Sequence, residues 1–300
     1  MVNPMLAGRL TLIGALVVVS SPARADDPPP PAPTPLRWDP AWTHAGPLDY
    51  TLAGVGIGGL LFEAAFLEPL QPPLRWTGPI LFDRAVRDVL RGSTPAVRQV
   101  ATTTSWALLG VDAGYPVVID LPYVWRRYGS DVAWDLFWQD ATALSLVSAV
   151  DMALRDLVGR ARPFVSDCLA AGGSQTQCLG DNNEATRAFP GGHVAIGTTG
   201  TVLVCMQHLS MRLYGSPWDE GICAAAITAD AAMGTLRIVT DNHWASDVLA
   251  GGALGVAIGY GVPVLMHLHG HAMPATSAVV MAPVPLALGH GAGLGVAGAF

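Results

Sequence analysis

Charge is what this chain has least of. From Val248 to the C-terminal Phe300 there is no Asp, Glu, Lys or Arg. Across the 300 residues, charged side chains make up 13% and hydrophobic ones 51%, against roughly 25% charged in an ordinary soluble domain. That shortage argues against a freely soluble globule and for a helical bundle lodged in, or derived from, a membrane. The formal net charge of −7 supplies no basic surface and gives no support to nucleic-acid binding. The length allows one or two domains and a sizeable core.

What is present begins with a secretory signal over residues 1–25. Arg9 supplies the positive start, Leu10–Val19 the apolar core and Ala23-Arg24-Ala25 the small-x-small cleavage pattern. That core is too short to span a bilayer comfortably. Asp26–Pro35 is an extended polyproline spacer, and the linker is taken to run over 26–47. A helical domain is expected over 48–271 and a tail over 272–300. In the tail, Val279, Met281 and Val284-Pro-Leu286 precede Gly289-His-Gly291, and Leu294, Val296 and Phe300 follow at even spacing. That alternation reads as a short β-hairpin. The expected fold class is therefore all-α, a compact bundle of about six main helices with the hairpin appended.

The helical stretches are Tyr50–Leu67, Ala96–Val124 (broken by Gly114, Pro116 and Pro122), Asp131–Leu154, His193–Leu213, Ile222–Arg237 and His243–His267. A shorter one, Pro79–Arg91, puts Phe82, Val86, Val89 and Leu90 on one face, with Asp83, Arg84, Arg87, Asp88 and Arg91 elsewhere. Its charges read as a solvated or headgroup-facing surface. Thr94-Pro95 is a cap and first turn for the next helix. Asp135, Asp140 and Asp151 are costly in lipid and should face protein or water, Asp151 pairing with Arg155 one turn on. Cys168 and Cys178 share a polar loop downstream of a signal, and a disulfide between them would contribute about 3 kcal/mol in the chain-entropy reckoning. Cys205 and Cys223 either pair or remain buried thiols. His267-Leu-His-Gly-His271 reads as a polar exit from a helix ahead of a metal tract.

Three stretches carry chemistry. In Arg155-Asp-Leu-Val-Gly-Arg-Ala-Arg162-Pro163, two arginines seven residues apart share a helical face, with Arg162 at the helix end because a proline follows. In Phe189-Pro-Gly191-Gly192-His193, glycines ahead of an apolar helix offer close approach and free N–H groups to an anion. In Arg237-Ile-Val-Thr-Asp-Asn-His243-Trp-Ala-Ser-Asp247, the His and Asp lie one helical turn apart. There the carboxylate can take one ring N–H and leave the other nitrogen as a neutral nucleophile. Together they describe a phosphate-sized anion held by three arginines and a glycine turn between two histidines.

Order and spacing of these motifs resemble the type 2 phosphatidic acid phosphatase (PAP2) family, which shares its fold with bacterial acid phosphatases and vanadium haloperoxidases. The family pattern is Lys-x6-Arg-Pro, Pro-Ser-Gly-His and Ser-Arg-x5-His-x3-Asp. Arg155 stands for the Lys, Gly191 and Leu236 for the two serines, and the other motif positions match over roughly Leu136 to Met266. Losing the hydroxyl at Gly191 removes a charge-assisted hydrogen bond of about 1.5–3 kcal/mol. The resemblance implies a metal-independent phosphatase without cofactor, acting on a phosphomonoester or diphosphate, of a lipid or a soluble ester. It implies His243 as nucleophile, Asp247 as holder of its tautomer and His193 as proton donor. Arg155, Arg162, Arg237, Gly191 and Gly192 would hold the phosphate. A vanadate-dependent haloperoxidase and a non-catalytic envelope protein are the competing readings. Topology pulls two ways. A cleaved signal followed by three spans puts the site in the cytoplasm, whereas the cysteine loop puts it outside. The expectation is a membrane-embedded or membrane-associated protein whose site faces the periplasm.

Overall fold

The computed structural model describes residue 38, residues 42–67 and 70–268, and the strands over 280–288 and 291–299. The expected signal and the polyproline stretch, 1–35, lie outside the described residues, as do His269 and His271. The helices are α1 (Pro47–Phe62), α2 (Asp83–Leu90), α3 (Pro95–Tyr115), α4 (Leu121–Tyr128), α5 (Ser130–Val158), α6 (Pro163–Ala170), α7 (Gln175–Leu179), α8 (Gly192–Met211), α9 (Trp218–Val239) and α10 (Ala245–Met266). A π-helical turn, Glu63–Leu67, extends α1, and another, Pro116–Asp120, joins α3 to α4. The fold is all-α, with one appended hairpin in which β1 (Val280–Leu288) pairs antiparallel with β2 (Gly291–Ala299).

Local chemistry sets the boundaries. Thr94 caps α3, its hydroxyl oxygen accepting the Val97 N–H at 3.2 Å, and Pro95 fills the first position. α5 ends where Gly159 turns left-handed at φ +58°, and a Cβ there would come within 2.3 Å of the Pro73 carbonyl oxygen. Helix α8 sits among α3, α5, α9 and α10. On α10, Gly251, Gly255 and Gly259 recur every fourth residue. A Cβ would stand 2.6 Å from Ala195 O at Gly255 and 3.0 Å from Thr199 O at Gly259. Glycine thus lets the two backbones touch, as close-packed membrane helices do. A disulfide between Cys205 and Cys223 ties α8 to α9, settling the alternative that the sequence leaves open.

Five helical segments are long and apolar enough to cross a bilayer: Pro47–Leu67, Pro95–Tyr128, Gly192–Met211, Trp218–Val239 and Ala245–Met266. Their outer faces expose Val55, Leu61, Val111, Val256 and Leu265, so the bundle is embedded in a membrane. The sixth long helix, α5, is 29 residues, roughly 43 Å at 1.5 Å per residue, and is also long enough. Its carboxylates Asp135, Asp140 and Asp151 are all buried inside the protein, as their cost in lipid requires. Asp151 Oδ2 lies 3.0 Å from Arg155 Nε, the expected pair.

Helix α2 meets the sequence expectation only in part. Arg84, Asp88 and Arg91 are exposed as expected, but Asp83 and Arg87 are buried while Phe82 and Val89 are exposed. The reason is pairing. Arg87 donates to Asp241 and Asp167, and Asp83 accepts from Arg160 and Ser246. Asp83 and Arg87, one turn apart, thus turn inward and grip the neighbouring loops, while Arg84 and Asp88 stay exposed. α5 and α9 end, and α8 and α10 begin, at the same end of the bundle as α2. At the opposite end Thr43 N–H donates to the His267 carbonyl at 2.9 Å. His267 Nε2 there lies 2.9 Å from Asp49 Oδ1, a core contact for the one described histidine of that tract.

Candidate active site

The three motif stretches meet at the α2 end of the bundle. The first does not lie on one helical face. α5 stops at Gly159, and Arg160, Ala161 and Arg162 run extended, with Arg160 bridged to Trp76. Arg155 and Arg162 therefore approach from different directions and converge on one oxygen. Arg155 Nη1 lies 3.4 Å and Arg162 Nη2 2.6 Å from Glu184 Oε2. Arg162 also donates to the Glu184 carbonyl at 2.6 Å and to Asn242 Oδ1 at 3.0 Å. Arg237, near the end of α9, is buried, and its guanidinium makes a long hydrogen bond, 3.4 Å, to the Ser105 hydroxyl. Its Nε has no hydrogen-bond partner among the described residues.

His243 does not sit on α10. It lies in the turn before that helix, and its side chain is buried. The ring Nδ1 stands 2.8 Å from the Ala188 carbonyl oxygen. A carbonyl only accepts, so the proton belongs on Nδ1, and Nε2 keeps its lone pair. This corrects the sequence expectation for Asp247, whose carboxylate is 3.9 Å from Nδ1, too far for a hydrogen bond. Because α10 begins at Ala245, Asp247 is its third residue, and Oδ2 accepts the Trp244 N–H at 2.7 Å. Oδ1 takes a hydrogen bond from Arg160. Burial pushes the His243 pKa well below its ordinary 6.5, and the positive charges of Arg237 and Arg162 push it further. His193, which follows the glycine turn bonded to the Asp247 carbonyl, adds to that repulsion.

The glycine turn also differs from expectation at one position. The Gly191 N–H is already committed to the Asp247 carbonyl at 2.9 Å and is not available to an anion. The Gly192 amide opens α8 and belongs to the first-turn N–H groups that a helix leaves without intrahelical partners. At Gly192 a Cβ would meet Asp151 Oδ2 at 2.4 Å, and at Gly251 it would meet the Gly191 carbonyl oxygen at 2.4 Å. His193 packs edge-on against Trp106 with ring centroids 4.1 Å apart, and its Nε2 has no hydrogen-bond partner among the described residues.

Several residues of the site escape a motif reading. Arg160 is fully buried and joins Asp83, Ser246 and Asp247 while its guanidinium stacks 3.9 Å from the Trp76 ring centroid. Burial alone would raise the Asp83 pKa. Hydrogen bonds from Ile80, Ser246 and Arg160 outweigh it and hold the carboxyl below its usual range. Arg160 lies inside the first motif, between its two named arginines, and the i,i+4 pair Asp83 and Arg87 was the available sign of an anchored helix. Glu184 and the Ala188 carbonyl come from the loop between the first two motifs, and its sequence carries no sign of either role. That loop folds as α6 and α7 linked by a Cys168–Cys178 disulfide, as expected for the cysteines.

Comparisons with known proteins agree with the motif order. The model of the PAP2 superfamily matches residues 137–274. A lipid A 1-phosphatase from Porphyromonas gingivalis is 34% identical over 110 residues, which cover 36% of this chain and 22% of that protein. The match thus spans about a fifth of the relative's length. The crystal structure of a transmembrane PAP2 type phosphatidylglycerolphosphate phosphatase from Bacillus subtilis superposes with a TM-score of 0.47 at 17% identity, covering 71% of this chain and 94% of that one. Every motif arginine, glycine and histidine described above falls inside residues 137–274, the stretch that matches the PAP2 superfamily model.

Proposed function

We propose that this protein is a membrane phosphatase that hydrolyses a phosphomonoester or diphosphate of a lipid through a phosphohistidine. The observation that carries the reading is that Arg155 and Arg162 converge at Glu184, with Arg162 also bonded to Asn242 next to His243, while the His243 Nδ1 is tied to a backbone carbonyl and Arg237 is buried near the end of α9. Three guanidiniums and the Gly192 amide neutralise the phosphoryl oxygens, the larger part of the catalysis. His243 Nε2 attacks phosphorus as the bond to the leaving oxygen breaks, and His193 gives that oxygen its proton. Water then attacks the phosphohistidine, returns a proton to His193 and releases inorganic phosphate. Fixed guanidinium charge does the work a cation would do, so the scheme asks for no metal. The lipid A 1-phosphatase match and the membrane bundle favour a lipid phosphate over a soluble ester. The Cys168–Cys178 disulfide beside the site favours an oxidising compartment, the periplasm.

Purified protein in detergent should release phosphate from a lipid phosphate in the presence of EDTA. Acid-labile, base-stable phosphate should be trapped on the protein during turnover with labelled substrate. Phosphate release without any trapped histidine phosphate would overturn the mechanism, and no release from any lipid or aryl phosphate would overturn the function.

A pH prediction follows from the neutral His243. Its pKa lies below 6.5, so the ring stays unprotonated as the pH falls through that value. With an activated aryl phosphate whose second ionisation lies well below 6.5, kcat/KM should show no inflection near 6.5 assignable to the nucleophile. A tenfold loss per pH unit below 6.5 would contradict the burial-driven shift.

A further inference from the structure

Among the described residues, Glu184 is the one acidic side chain that contacts both arginines of the first motif. Its Oε2 lies between Arg155 Nη1 at 3.4 Å and Arg162 Nη2 at 2.6 Å, the position a phosphate oxygen would take between two guanidiniums. The main chain there is pinned. The Glu184 carbonyl accepts from Arg162 Nε at 2.6 Å and from the Arg187 N–H at 3.1 Å, and the Glu184 N–H donates to Asn182 Oδ1 at 3.0 Å. The side chain itself is 39% exposed, so it can leave by rotating about its own bonds while the backbone stays. Asp151, the other carboxylate on Arg155, is buried and has no such exit.

We propose that Glu184 is a built-in anion that occupies the phosphate cradle of the free enzyme and sets its substrate threshold. A ligand enters by exchanging for the carboxylate. A singly charged group gains little from that exchange, whereas a terminal phosphate brings a second charge and further oxygens for Arg237 and the Gly192 amide. Glu184 thereby favours terminal phosphates over diesters and carboxylates. This inference rests on the phosphatase reading above.

The test is binding of inorganic phosphate to the full-length protein in detergent, by calorimetry and by competitive inhibition, for wild type, Glu184→Gln and Glu184→Ala. Removal of the resident charge should tighten phosphate binding about tenfold in both variants and lower KM by a similar factor. If Glu184 only holds the two arginines in place, both variants will bind phosphate more weakly and KM will rise, which overturns the proposal. Equal binding in all three proteins also overturns it. A wild type that hydrolyses esters and binds phosphate, beside variants that bind no better, removes this inference alone. A wild type that does neither removes the phosphatase reading with it.

Discussion

Replacing His243 by alanine should abolish turnover, a fall on the order of 10⁴-fold or more, the usual scale for removing a nucleophile from a catalytic group that acts as a unit. Among the described residues the side chain makes one hydrogen bond, from Nδ1 to the Ala188 carbonyl, and the scheme gives the covalent bond to its Nε2 while His193 serves as the proton donor. The cradle should survive, because Arg155 is held on α5 beside Asp151, Arg162 by the main-chain carbonyl of Glu184 and Arg237 by α9, none of them by the imidazole. Hydrolysis of a lipid phosphate and inorganic phosphate binding, measured on the same preparation, check this. Turnover lost with binding kept is the expected pattern, and a variant that still turns over at a tenth of the normal rate or better would rule out His243 as nucleophile.

How far the sequence reached follows from which contacts are local. Helix positions could be read because apolar runs, Pro95 behind Thr94 and the Gly-rich start of α8 are local signals. The burial of Asp135, Asp140 and Asp151 followed from the cost of charge in lipid. The site residues could be named because the motifs list them, yet their partners could not. Arg155 and Arg162 looked like neighbours on one helix, but Gly159 ends α5 between them, and they meet only through Glu184, a residue of a loop with no motif. His243 and Asp247 looked like a helical pair, but α10 begins between them, and the ring N–H found Ala188 instead. Helix α2 was read in part: Arg84 and Asp88 are exposed as its pattern suggests, but Asp83 and Arg87 turn inward because their partners, Arg160, Asp167 and Asp241, come from distant parts of the chain. The pairing of Cys205 with Cys223 depended on α8 and α9 being neighbours, a matter of tertiary packing.

The second large effect is expected at Arg160, which touches no substrate in the proposed scheme. Its guanidinium joins Asp83 at 2.7 Å, the Ser246 hydroxyl at 2.8 Å and Asp247, and both carboxylates are fully buried. Arg160→Met keeps the stem and strips the charge, leaving two buried anions without their shared cation. Breaking a buried pair in this way costs about 3–5 kcal/mol. Asp247 also caps the first turn of α10 through the Trp244 N–H, and its carbonyl holds the Gly191 N–H. The damage should therefore reach both the His243 turn and the glycine turn. Thermal unfolding in detergent should drop markedly and kcat should fall with it. Arg160→Lys should rescue little, because an ammonium cannot fork between Asp83 and Asp247 as the planar guanidinium does. Asp83→Asn added to Arg160→Met should recover part of the lost stability, since it removes one of the stranded charges, while kcat stays low because Asp247 remains unpaired. If Asp83→Asn and Arg160→Met instead add without coupling, the buried triad does not organise the site and α2 is only a strap beside it.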